Sequence, residues 1–205
     1  MKLFYQLNDN KDGLVITSCY NLEGKIRIPS ECEYKGKTFP VTHIDEYAFL
    51  GCEPLTSIHI PDSVTKIGSG AFEGCSGLTF ITVDKGNQYY DSRENCNAII
   101  ESKTNTLVGG CTTTIIPGSV TKIGESAFAS LETLAVINIP DSVIEIGKCA
   151  FSRCTKLTSI VIPNSVTKIG NDAFYHCSSL QKIVISDASL LKRAGVPEGV
   201  EIVKP

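Results

Sequence analysis

Nine cysteines and three histidines are the residues of this 205-residue chain best equipped for chemistry. Thiolates attack electrophiles, hold zinc or close disulfides, and imidazoles carry protons or bind metals. Spacing decides among these possibilities. No Cys-x-x-Cys pair occurs, and the odd cysteine count forbids complete internal pairing. There is no Gly-x-Ser-x-Gly elbow, no phosphate loop and no His-Glu-x-x-His. Asn8-x-Asn10-x-Asp12-Gly13 imitates the first half of a calcium loop, but its twelfth position is Cys19, where a bidentate glutamate is needed. A polar turn is the better reading of that stretch. The expectation is therefore a protein without catalytic, cofactor-binding or metal-binding residues.

Bulk composition narrows the classes further. Nineteen basic against 22 acidic residues give a formal net charge of −3, so no electrostatic footprint for nucleic acid is present. No apolar run is long enough to span a bilayer as a helix. Met1 to Asn8 has no apolar stretch behind its lysine, so no secretory signal is expected in this chain. With 42% hydrophobic residues the chain can bury a core.

What must position any functional residue is a repeat. The string Ile-Pro-x-Ser-Val-x-x-Ile-Gly-x-x-Ala-Phe recurs, with prolines at Pro61, Pro117, Pro140 and Pro163 and phenylalanines at Phe49, Phe72, Phe128, Phe151 and Phe174. The last two proline steps are 23 residues each, and one coil is ten residues longer. In the coil after Lys156, Leu157, Ile160 and Ile162 point inward with strand alternation, and Pro163 ends the ladder. Gly170 allows a tight bend, and Asn171-Asp172 is placed to cap a short helix through Ala173, Phe174 and Tyr175. One coil cannot bury its apolar edge alone, whereas a stack does so with Phe on Phe and Ile on Ile.

The expected fold is an α/β repeat solenoid, a leucine-rich-repeat-like right-handed stack of coils. It has a parallel β-sheet on one face, short helices or turns on the other, and a cap at each end. Residues 1–25 form an N-terminal cap hairpin, 26–186 the solenoid and 187–205 a C-terminal cap. The longer coil, 84–117, carries a hairpin insertion. Cys52, Cys75, Cys154 and Cys177 share one repeat phase, three residues after the phenylalanine, and read as small buried hydrophobes. A two-residue turn within Ser102–Asn105 would set Cys96 opposite Cys111, giving either a disulfide or, from the phase Cys111 shares with Leu55, a free buried thiol. His43, His59 and His176 occupy different phases and so point to different sides of the coil. Glu145 stands between Lys122 and Lys168 in one phase, relieving like-charge stacking.

Side-chain alternation sends the residues flanking each inward Ile to the outer face of the sheet. The candidate protein-binding residues are therefore Ser57, His59, Phe80, Thr82, Thr113, Ile115, Val136, Asn138, Ser159, Val161, Lys182 and Val184. Phe80, Ile115, Val136, Val161 and Val184 would form an apolar line across neighbouring coils, the signature of a protein partner. The β-propensity of valine and isoleucine accounts for the same line without a ligand.

The motif running from Pro61 to Leu78, repeated at Pro140–Leu157 and Pro163–Leu180, resembles that of the BspA-like leucine-rich repeat family of bacterial surface proteins. The resemblance covers residues 26–186 and departs at Leu131, which replaces the phased cysteine. It implies an exported or cell-surface protein that binds a host matrix or cell-surface protein and has no catalytic residues. The competing readings are a structural spacer or scaffold arm without a ligand, and an intracellular scaffold.

Overall fold

The computed structural model describes residues 2–205, so Met1 of the expected N-terminal hairpin lies outside the described residues. Strands β1 (Lys2–Leu7) and β2 (Leu14–Tyr20) pair antiparallel, and β2 pairs in parallel with the end of the first coil. That coil contains β3 (Gly24–Arg27), β4 (Glu31–Tyr34) and β5 (Lys37–Ile44), the last two forming a hairpin. After it come β6 (Leu55–Ile60), β7 (Lys66–Ile67), β8 (Phe80–Val83) and β9 (Tyr90–Asp91). The hairpin β10 (Ala98–Glu101) and β11 (Thr106–Gly110) follows, then β12 (Lys122–Ile123) and β13 (Glu145–Ile146). The chain closes with β14 (Ser159–Val161), β15 (Lys168–Ile169), β16 (Lys182–Val184) and β17 (Glu201–Val203).

Each coil contributes to two sides. The broad face carries the parallel sheets β3-β6-β8 and β14-β16-β17. The opposite side carries a narrower ladder, β5-β7 and then β9-β10-β11-β12-β13-β15, built largely from two-residue strands. The repeat step fixes the register, so Ile123 faces Ile146 and Ile146 faces Ile169. Inward side chains are buried completely at Leu55, Ile58, Leu78, Ile146 and Leu157. Each such burial stabilises by about 1.5–3 kcal/mol. Rings stack in line, Phe49 on Phe72 at 5.2 Å and Phe128, Phe151 and Phe174 at 5.3 and 5.8 Å.

The expected helices around Ala-Phe are turns. Two residues per coil hold positive φ, one just before the Ala and one two residues after the Phe: Ser126 and Ser130, Cys149 and Arg153, Asp172 and His176. A left-handed residue at this interval stops a right-handed helix from propagating. Asp172 is thus part of the turn and not a helix cap. In the C-terminal segment Ala188–Leu191 forms a 3-10 turn, with the Asp187 carboxylate accepting from Ser189 N–H at 2.9 Å. Gly170 does not serve as a positive-φ bend; a side chain there would run into the backbone of Gly147 and Lys148 one coil earlier.

Side chains carry much of the coil-to-coil bonding. Ser63, Ser142 and Ser165 donate to the carbonyls of Val41, Val120 and Val143, each 22 residues back. The thiols of Cys75, Cys154 and Cys177 donate to the carbonyls of Phe49, Phe128 and Phe151, each 26 residues back. The phenylalanine carbonyls also accept the N–H three residues further on, so each thiol bonds to a second lone pair of an oxygen already used in its own turn.

The long coil breaks this regularity. It has no Ala-Phe turn of its own, and the backbone of Gly109 and Gly110 runs between the Phe72 and Phe128 rings instead. At the turn edge the flanking coils therefore meet directly: Gly74 N–H donates to Ala129 O at 3.1 Å, and Ser130 Oγ to Glu73 Oε1 at 3.2 Å. On the broad face the segment 111–116 still lies between those coils. The turn edge is one coil shorter than the broad face, so the stack is wedge-shaped here. Thr112 and Thr113 form a turn closed by Thr114 N–H on Cys111 O at 3.1 Å, and segments 114–116 and 135–139 join no sheet, leaving β8 and β14 as edges of separate sheets.

Candidate functional site

The twelve outward residues expected from alternation all lie on the broad face, distributed over its two sheets and the wedge between them. Register sets Lys25 beside Ser57 and Ser57 beside Phe80; in the neighbouring row Arg27 stands beside His59 and His59 beside Thr82. In the second sheet Ser159 aligns with Lys182 and Glu201, and Val161 with Val184 and Val203. Thr113, Ile115, Val136 and Asn138 occupy the unladdered segments and are exposed. Ile115 and Val136 are the most solvent-accessible large apolar side chains among the described residues, at 75% and 74%, followed on this face by Val161 at 58% and Phe80 at 52%. Ser57, His59, Thr82, Lys182 and Val184 are half-buried by their neighbours.

One polar group on the face is constrained. His59 Nδ1 bonds Thr82 Oγ1 at 2.9 Å, and its Nε2 is 3.8 Å from an Asp84 carboxylate oxygen. Burial, and after it the Arg27 charge, lower the His59 pKa, while Asp84 opposes both. The imidazole is therefore neutral at neutral pH, and the face from Ser57 to Val161 carries no formal charge.

The buried thiols are occupied structurally, in hydrogen bonds to backbone carbonyls. Burial pushes the Cys75 thiol up to about 12 and the Cys177 and Cys96 thiols to about 11, far from a nucleophilic thiolate. Cys52 departs from its phase-mates, being joined to Cys19 in a disulfide. The alternative pairing of Cys96 with Cys111 does not form. A bulge between Ile99 and Ile100 slips the hairpin so that Ala98 faces Gly110, and both thiols are free. Asn8 Oδ1 accepts from the N–H groups of Asp12 and Gly13, which commits the calcium-like loop to a turn. Among the described residues no group of three His, Cys, Asp or Glu side chains could hold a metal ion, and no helix is long and apolar enough to cross a membrane. Glu145 pairs with both Lys122 and Lys168, at 3.2 and 3.0 Å, as their shared phase suggested.

Sequence reasoning missed the polar network that pins the insertion. Arg93 grips Asp91 with Nε and Nη2 at 2.7 and 2.6 Å and reaches Asn105 with Nη1 at 2.9 Å. Burial alone would raise the Asp91 carboxyl, but hydrogen bonds from Arg93 and Ser102 hold it below its ordinary value. Buried Asn87 donates to the carbonyls of Pro61 and Val64 and accepts from the N–H groups of Tyr89 and Tyr90. Only the unusual length of this coil signalled that something other than apolar stacking must hold it.

The family described as BspA-type leucine-rich repeat region matches residues 18–106 and 99–193, with six copies of its repeat. No curated protein matches the sequence. Among solved structures, the fold resembles a leucine-rich repeat protein from Bacteroides ovatus, 25% identical over 90% of this chain and 46% of that one, with a TM-score of 0.50. A leucine-rich repeat protein from Eubacterium ventriosum is 20% identical over 81% of this chain and 58% of that one, with a TM-score of 0.60. The chain thus spans about half the length of these two proteins.

Proposed function

Since the chain belongs to the BspA-type leucine-rich repeat family, we propose that it is a non-enzymatic protein-binding module, exported or displayed at a cell surface, whose broad sheet face takes the partner. The carrying observation is the run of exposed Phe80, Ile115, Val136 and Val161, one on each of four successive coils and alternating between the two outward rows. Neighbouring apolar side chains that see solvent form a patch, and such patches mark protein interaction sites. Buried, hydrogen-bonded thiols favour a scaffold over a catalyst. In this reading residues 1–25 and 187–205 act as caps on an array spanning 26–186, and a host matrix or cell-surface protein is the partner.

Binding of the purified chain to immobilised extracellular matrix and cell-surface proteins tests this, with Phe80→Asp and Val161→Asp alongside. Saturable binding that falls at least about tenfold in both folded variants is expected, since central apolar anchors dominate interface energetics. Binding untouched by either substitution, or no binding at all, would favour a spacer with no ligand of its own.

A further inference from the structure

The charge pattern around the apolar line says what kind of partner segment fits it. Outward positions from Ser57 to Val161 are uncharged across five successive coils. At one end of this stretch Lys25 and Arg27 stand exposed on β3, in register with Ser57 and His59. At the other end Lys182 on β16 lies beside Glu201 on β17, so the charges there balance. The face is therefore polar in the directional sense: two cations, then an apolar run, then a neutral pair. Asp84 is the one carboxylate facing His59, and it stands at the margin beyond β8.

Resting on the reading of this face as the binding surface, we infer that its occupant is an extended segment of a partner protein, with carboxylates at one end and uncharged apolar residues along the rest. The carboxylates meet Lys25 and Arg27, and the apolar part crosses Phe80, Ile115, Val136 and Val161. Five inter-strand steps of about 4.8 Å span about 24 Å. An extended chain covers that distance in about seven residues. A basic segment is repelled at the Lys25 end and meets Lys182 as well as Glu201 at the other. Protonation of His59 adds a third positive charge beside Arg27, so the segment binds more tightly as the pH falls through the His59 titration.

The test uses fluorescent ten-residue peptides: three glutamates followed by seven residues drawn from valine, phenylalanine, threonine and serine, and the same peptide led by three lysines. Fluorescence anisotropy is read at low and high salt, with Lys25→Glu/Arg27→Glu and Val161→Asp as variants. The acidic peptide should bind saturably and weaken with salt. It should lose about fivefold or more in the charge-reversed variant, whose substitutions are on the surface and leave the core intact. The lysine-led peptide should gain in that variant. Equal binding of both peptides, or indifference to charge reversal while Val161→Asp abolishes binding, overturns the acidic specificity and leaves the sheet-face reading standing. Binding only to vesicles containing anionic lipid, lost on charge reversal, overturns it in favour of a membrane surface. Loss of all peptide binding together with all array binding removes both.

Discussion

Cys75, Cys154 and Cys177 each spend their thiol hydrogen on the carbonyl of the phenylalanine one coil earlier, whereas Cys52, in the same phase, bonds Cys19. Repeat phase was sufficient to place all four inside. It could not single out Cys52, because its partner belongs to the N-terminal hairpin and has no repeat neighbour to be compared with. Nor could it assign the Cys96–Cys111 geometry, since one bulged residue, Val108 in β11, decides which side chains oppose each other. Alkylation of unfolded, unreduced protein is expected to label the seven free cysteines, and reduction should raise the count to the nine in the sequence. Nine labelled thiols before reduction would show that Cys19 and Cys52 are unbonded.

At the level of elements, the longer strands of the broad face were legible, whereas the two-residue strands of the opposite ladder and the turns were not. Alternating Ile residues and a closing proline announce β6 or β14 directly. The Ala-Phe segment has a composition that suits a short helix, and only Gly51, Gly70 and Gly74 betray the left-handed positions that in other coils are filled by Ser126, Cys149, Arg153 or His176. The outward direction of the residues in β6, β8, β14 and β16 could be read from alternation, because side-chain direction in a strand is a local property, whereas Thr113 falls in a turn and Ile115, Val136 and Asn138 in segments outside any sheet. The Arg93–Asp91 network could not, since it depends on how the insertion folds back. The insertion's closest packing is at Gly110, whose missing side chain leaves room for the Phe128 ring. Gly110→Ala should therefore destabilise by about 1–3 kcal/mol through overpacking. Gly118→Ala, which meets nothing within 4 Å and has no positive φ, should change stability by less than about 0.5 kcal/mol. Chemical denaturation of both variants decides this, and equal midpoints would show that the rings yield without cost.

Over the whole molecule the apolar interior divides in two. One core runs from Leu14 to Cys111 and the other from Cys96 to Ala194, and they meet at the inserted hairpin, where Ile99 joins the first and Ala98, Ile100 and Leu107 the second. The repeat period revealed the position of the long coil, but the wedge follows from counting coils separately on two sides of the stack, which no single-coil reading contains. Repeat arrays unfold as nearest-neighbour systems, so the weakest interface separates the units. Hydrogen exchange should reveal two blocks with distinct protection. Phe49→Ala should weaken the first block and Phe151→Ala the second, each by about 3–5 kcal/mol. A single transition shifted alike by both substitutions would show that the hairpin welds the halves into one cooperative unit.

The constant reach of the serine and cysteine bonds, 22 and 26 residues back along the chain, has a consequence for heredity. Removing one residue within a coil displaces every donor in it from its acceptor at once, along with the inward phase of the strand. Removing or duplicating 23 residues returns each Ser to a Val carbonyl and each Cys to a Phe carbonyl of an equivalent coil. For the gene encoding this array, the unit of change that leaves the protein intact is the coil. Such a gene lengthens or shortens the broad face by whole rungs, leaving the few outward codons of each rung free to vary.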